Sequence, residues 1–203
     1  MSSQELAVPA FPDRVRLPLR FDMAAMAVDA LALDPQDWIP HFNTAYYQGD
    51  WSGAALRAVG GRSDTIYPDP ASAEPWADTP LLARCPSIAA ALARIECEKT
   101  SVRLLRLGPG ARVKEHRDHA LGYENGECRL HLPVVSGPEA EFVLAGVPVE
   151  MADGDCWYVN VNNRHFVTNT GSTPRIHLVV DVFVNVWLTT ALQNGIVSAE
   201  ANY

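Results

Sequence analysis

Two segments of this chain carry nearly the same phrase, RLHLPVV from Arg129 and RIHLVVDV from Arg175, and both alternate in character. Side chains two apart on a strand share a face. Leu130, Leu132 and Val134 therefore lie opposite Arg129 and His131, while Ile176, Leu178, Val180 and Val182 lie opposite Arg175, His177 and Val179. One such strand describes a half-buried sheet with its polar side in water. Two of them, with no Lys, Glu or Thr mixed in before Asp181, point instead to a barrel with a polar interior. Guanidinium forks match carboxylates, so that interior suits an anionic ligand.

The surrounding pattern supports a barrel. After Thr100 the chain runs SVRLLRL, ARVKEH, CRLHLPVV, EFVLAGVPVEM, DCWYVNV, HFVTNT and RIHLVVDVFV, broken by Gly, Pro and Asn turns. Short strands at a spacing of about ten residues predict an all-β sandwich or barrel. The fold expected is mainly β with flanking helices, an antiparallel β-sandwich of jelly-roll type. Helix formers at 22–33, with Asp22 as cap, predict a first helix, and 87–96, capped by Ser87, a second. A helix over 186–193, ended by Gly195, closes the chain. Residues 34–80 read as a long loop punctuated by Pro and Gly and rich in aromatic residues, a pattern that suits a lid, a pocket wall or a plug at the core edge. The expected organisation is one domain: 1–99 as helices and aromatic loop on the barrel, 100–186 as the barrel, 187–203 as C-terminal helix and tail.

Composition narrows the partners. Sixteen basic against 24 acidic residues give a net charge of −8, which disfavours nucleic acid and anionic membrane. The N-terminus shows no basic-then-apolar signal pattern, and 176–188 is too short and too interrupted to span a bilayer. Four dispersed cysteines without a C-x-x-C pair argue against a zinc knuckle or a disulfide scaffold. A cytoplasmic location is the expectation.

The chemistry is concentrated in ARVKEHRDHA. His116 and Asp118 point the same way on an extended segment and form a two-ligand clip. By itself H-x-D is a weak signal. His165, at the start of a later strand, supplies a third ligand. Two imidazoles and one carboxylate on one face of a metal leave three open positions, the facial triad of non-haem Fe(II) oxygenases. Arg175, ten residues beyond His165, is the cation expected for the far carboxylate of a keto acid. His119 is a rival ligand only if the segment were helical, which the preceding GPG turn opposes. His41 reads as structural, and Cys128 and Cys156 as small core residues.

His116-x-Asp118, His165 and Arg175, with Arg129-Leu-His131 between them, resemble the aspartyl/asparaginyl β-hydroxylase family of 2-oxoglutarate dioxygenases. The L-proline cis-hydroxylases are similar over the same stretch, roughly 101–185. The resemblance implies a double-stranded β-helix, cupin-like in outline. It implies Fe(II) on His116, Asp118 and His165, 2-oxoglutarate anchored by Arg175, and O2 at the remaining position. Arg129 and His131 would line the cosubstrate or substrate side. His177 shares a face with Arg175, which suits either a cosubstrate-binding role in the pocket or a satisfied core imidazole. There are departures. Peptide-hydroxylating animal members carry Gly where this chain has Asp118, and a Ser that helps hold the cosubstrate where it has Leu105. No tandem-repeat helical segment is present in this sequence. These differences favour a small, polar, carboxylate-bearing substrate such as an amino acid. The alternatives are peptidyl Asp/Asn β-hydroxylation, a cupin-like isomerase or dioxygenase working without 2-oxoglutarate, and a metal-binding module with no catalysis.

Overall fold

Nine-residue strands organise the chain. The computed structural model describes residues 10–67 and 72–200. Residues 1–9 of the expected irregular N-terminus, 68–71 of the aromatic stretch and 201–203 of the tail lie outside the described residues. The strands are β1 (Arg14–Arg16), β2 (Ile39–Pro40), β3 (Tyr47–Gln48), β4 (Trp51–Val59), β5 (Trp76–Asp78), β6 (Lys99–Leu107), β7 (Arg112–His116), β8 (Glu127–Val135), β9 (Ala140–Leu144), β10 (Val147–Pro148), β11 (Trp157–Val159), β12 (His165–Asn169) and β13 (Arg175–Phe183). The helices are α1 (Met23–Leu31), α2 (Pro86–Ala93) and α3 (Val186–Glu200). The large antiparallel sheet runs β1-β11-β8-β13-β6-β4-β2, with β5 on β4, and the small one runs β10-β9-β12-β7-β3. The two face each other as a double-stranded β-helix with the helices on the outside of the large sheet.

Alternation in β8 and β13 sets this arrangement. Leu130, Leu132, Leu178 and Val180 are fully buried in one cluster with Met26 and Ala30 of α1, Ile88 and Leu92 of α2, and Leu188 and Leu192 of α3. Burying each such side chain contributes about 1.5–3 kcal/mol, so the apolar face is committed to the helices and the Arg/His face to the barrel interior. A second cluster between the sheets, including Leu107, Val113, Leu144, Val159, Val161 and Val167, packs the barrel beside the polar interior.

Several expectations need correction. Asp22 does cap α1, accepting from the Ala25 amide at 3.0 Å, but Ser87 does not cap α2. The cap position is Cys85, and the free amides of Ser87 and Ile88 donate to Asp29 Oδ2 of α1 at 2.7 and 2.9 Å. Gly195 does not end the last helix, which continues to Glu200. A Cβ at Gly195 would lie 2.4 Å from the Arg16 carbonyl oxygen, so this glycine serves close packing of α3 on β1. The 34–80 stretch is not a continuous loop. β4 lies within it and pairs with β6 from Trp51↔Leu107 to Arg57↔Val102, so the large sheet also takes strands from before residue 99. Trp38 belongs to the helix-side core, under the Arg106 guanidinium at 4.6 Å.

Candidate active site

Between the sheets lies a cavity of about 570 Å³. The small sheet carries the candidate metal ligands. His116 ends β7 and pairs directly with His165, which opens β12. Asp118 follows two residues on, its backbone amide donating to the Val161 carbonyl at 2.9 Å. The three residues offer ligand atoms that all lie within 4.8 Å of one another, and His116 Nε2 stands 3.7 Å from Asp118 Oδ1. An ion bound by all three would stand about 2.1 Å from each.

Hydrogen bonding prepares both imidazoles alike. His116 Nδ1 donates to the Lys114 carbonyl at 2.8 Å, and His165 Nδ1 to the Asn163 carbonyl at 3.0 Å. A carbonyl only accepts, so each Nδ1 carries the proton and each Nε2 keeps its lone pair for a metal. Burial, reinforced by His116, lowers the His165 pKa to about 4, so that ring is neutral at physiological pH. Burial works to raise the Asp118 carboxyl, but Arg129 and the two histidines outweigh it and hold Asp118 below its ordinary value. Arg129 Nη1 also donates to Asp118 Oδ2, which leaves Oδ1 on the His116 side. The donor set, tautomers and charge therefore fit a divalent iron. His119 is exposed and stands outside this group, although it lines the cavity mouth.

Cations come from the large sheet. Arg175 of β13 is 7% exposed and lines the cavity. Its Nη2 donates to His177 Nδ1 at 3.0 Å, and burial, with no carboxylate beside it among the described residues, pulls its pKa down to about 9. A buried guanidinium with no counter-ion is poised for an anion. His177 itself is not on the cavity wall; it backs Arg175 as a buried, hydrogen-bonded imidazole. Arg129 and His131 of β8 both line the cavity. Both His131 ring nitrogens are buried without a hydrogen-bond partner among the described residues, which marks them for a ligand. Burial, then the Arg129 and Arg175 charges, drive its pKa well below the usual histidine value. Leu105, opposite His177 in the sheet, presents an apolar wall.

Two further residues at this site escape the sequence reading. Asp181 of β13 accepts from Arg129 Nε and Nη2 at 2.7 and 2.9 Å and from Arg103 Nη2 of β6 at 2.9 Å. This carboxylate joins both arginines into a network that ends on Asp118 through Arg129. Strand alternation does place Asp181 on the Arg175 face, and that was the available signal. From the 38–76 stretch, His41, Phe42, Tyr46, Trp51, Tyr67 and Trp76 reach the cavity wall. His41 is thus a wall residue as well as a structural one.

A double-stranded β-helix with a His-Asp-His cluster facing arginines in its interior is a jelly roll that carries a candidate metal centre. The family model described as aspartyl/asparaginyl beta-hydroxylase matches residues 21–184, and the chain belongs to that family. None of the curated protein sequences is similar enough to count as a match. Among solved structures, the chain resembles an oxidoreductase of the 2OG-Fe(II) oxygenase family from Burkholderia pseudomallei at 16% identity and TM-score 0.59, covering 84% of this chain and 85% of that one. A Pseudomonas putida prolyl-4-hydroxylase is similar at 15% identity and TM-score 0.54, over 85% of this chain and 93% of its own. A non-heme alpha-ketoglutarate-dependent epimerase from nogalamycin biosynthesis follows at 14% identity and TM-score 0.53, over 84% and 76% of the two chains. At these identities the likeness is one of fold. No helix among the described residues is long and apolar enough to cross a membrane.

Proposed function

We propose that this protein is an Fe(II)- and 2-oxoglutarate-dependent dioxygenase that hydroxylates an unactivated C–H bond of a small carboxylate-bearing molecule. One observation carries the reading: the buried guanidinium of Arg175, which meets no carboxylate among the described residues, lines the same cavity as His116, Asp118 and His165. A cupin-like isomerase or dioxygenase working without a keto acid, or a bare metal-binding module, does not need such a cation, whereas a chelating keto acid needs its far carboxylate held.

In this reading His116 and His165 would hold the iron through Nε2, and Asp118 through its carboxylate. Iron bound there together with 2-oxoglutarate would supply the oxidising power for hydroxylation of a C–H bond by O2. Arg175, oriented by its hydrogen bond to His177, would take the distal carboxylate of 2-oxoglutarate. His131 stays neutral and offers one N–H and one lone pair to the acids bound beside it. Arg129, tethered by Asp181, fixes the rotamer of Asp118. Leu105, Val161 and Val179 line the cavity and limit access of water to the reacting centre.

The test is anaerobic difference spectroscopy. Fe(II) and 2-oxoglutarate added together should produce a weak visible charge-transfer band that neither gives alone and that His165→Ala abolishes. Iron bound with no band on adding 2-oxoglutarate would overturn the reading. A screen for succinate release then identifies the substrate.

A further inference from the structure

We infer that the substrate is a carboxylic acid bearing an aromatic or bulky apolar group, which lies against a wall of rings built from His41, Phe42 and Tyr67 while its carboxylate meets Arg103. This deepens the oxygenase reading and rests on it.

The wall is pre-assembled. The His41 ring lies between Trp51, 3.8 Å away and 11° from parallel, and Phe42, 5.1 Å away and 12° from parallel. Tyr67 stands edge-on to both His41 and Phe42, at 4.9 and 5.0 Å. Burial keeps the His41 pKa near 4, so it stacks at neutral pH as an uncharged ring. Tyr46 extends the wall to within 6.1 Å of the His116 ring, which brings it beside the metal ligands. Hydrogen bonds stiffen the segment: Tyr47 Oη donates to the His41 carbonyl at 3.2 Å, and Lys114 Nζ to the Ala45 carbonyl at 2.9 Å. Phe42 is nevertheless 74% exposed. A large ring held in a fixed stack and left open to solvent gains most when a ligand covers it.

The second pole is Arg103. It is 5% exposed and lines the cavity, and its guanidinium lies 5.8 Å from the Tyr67 ring centroid. Nη2 donates to Asp181 and Nη1 to the Ile66 carbonyl, while Nε is buried with no partner among the described residues. Arg103 and Arg129 share Asp181, and Arg129 also meets Asp118; the two cations and two carboxylates balance, and Arg103, whose one carboxylate is shared, is the less neutralised of the two arginines. A buried unsatisfied donor is costly until an acceptor arrives. Tyr67 touches both Arg103 and Phe42, so the anion site and the ring site lie a short linker apart. A compact amphipathic acid spans them.

The probes are 3-phenylpropanoate, propanoate and 3-phenylpropylamine, titrated calorimetrically into protein loaded anaerobically with Fe(II) and 2-oxoglutarate. The phenyl acid should bind at least about tenfold more tightly than propanoate. Phe42→Ala should erase most of that advantage and leave 2-oxoglutarate affinity at the wild-type value. Phe42 is largely exposed, so its truncation opens no hole in the core. Equal binding of the two acids, or a ring preference indifferent to Phe42→Ala, would overturn the ring site. An amine that binds as tightly as the acid would overturn the anion pole. Failure of 2-oxoglutarate itself to bind would bring down the oxygenase reading and this inference with it, whereas normal 2-oxoglutarate binding with ring-blind acid binding removes this inference alone.

Discussion

Asp181 and Arg175 lie on the same strand face and hold opposite electrostatic positions. Asp181 is the carboxylate shared by Arg129 and Arg103. Burial acts to lower the Arg129 pKa, but Asp181 and then Asp118 hold it above its usual value; Arg103, with burial and Arg129 against it, falls below. Asp181→Ala leaves two buried cations without their shared counter-ion, an arrangement that costs about 3–5 kcal/mol. Denaturant unfolding should show that loss, with Asp181→Asn intermediate, and Fe(II) affinity should fall as Arg129 releases Asp118. A variant as stable as wild type would mean that the network carries no net stabilisation. Arg175 has no carboxylate partner, so its replacement runs the other way. Arg175→Met should leave the ligand-free protein as stable as wild type or more so, yet weaken 2-oxoglutarate by roughly thirtyfold to several thousandfold through loss of a charge-assisted contact. Unchanged 2-oxoglutarate affinity would move the anchor to another residue, with Arg129 the first to test. The sequence exposes Arg175 because it opens a repeated R-apolar-H-L phrase. It conceals Asp181, whose partners lie 52 and 78 positions earlier; between Val180 and Val182 one acid reads as an interruption of an apolar run.

At the scale of elements, legibility followed side-chain periodicity. β8 and β13 alternate large apolar with polar residues, and their faces can be read directly from the chain. β4 does not, because WSGAALRAV is built of small residues. Their smallness has a structural cause: a Cβ on Gly53 would meet Leu105 Cδ2 at 3.1 Å and Ile66 Cγ2 at 3.2 Å. A strand packed this tightly on both sides carries little of the alternating signal by which strands are recognised. Gly195 misleads for a related reason. Glycine after an apolar helical run is the usual mark of a helix end, yet here it is an interior residue that admits the β1 backbone. The general rule gives Ala an advantage of about 1 kcal/mol over Gly inside a helix. In α3 the sign should reverse, because the added methyl would also lie 2.7 Å from Val15 Cγ1 and must push β1 away. Gly195→Ala should therefore lower stability by about 1–3 kcal/mol, read as a decreased thermal midpoint. A raised midpoint would show that α3 and β1 separate without cost.

For the whole molecule, the polar interior makes stability depend on pH. His41, His131 and His177 are all buried. Burial is the largest cause of a lowered pKa in each, to about 4 for His41 and well below the usual value for the other two. The charges around them reinforce this. Arg129 from β8, Arg175 from β13, Arg103 from β6 and His165 from β12 act on His131, and Arg175 and His131 act on His177. In the unfolded chain these imidazoles titrate near about 6.5. Above that pH both states hold them neutral and the folded state keeps its full stability. As the pH falls below it, the unfolded chain takes up protons that the folded chain refuses, so stability drops, through about pH 4 for His41 and further for the other two. Each histidine contributes up to about 1.4 kcal/mol per pH unit in that window. The urea midpoint of the metal-free protein should accordingly fall steeply from pH 7.5 to 5.0 with little change in m. His131→Gln removes one of the refused protons and should make that fall shallower by about one proton's worth of slope. A midpoint that stays level across this range, or a slope unaffected by His131→Gln, would mean that water or an anion reaches the barrel interior and hydrates these rings in the folded state.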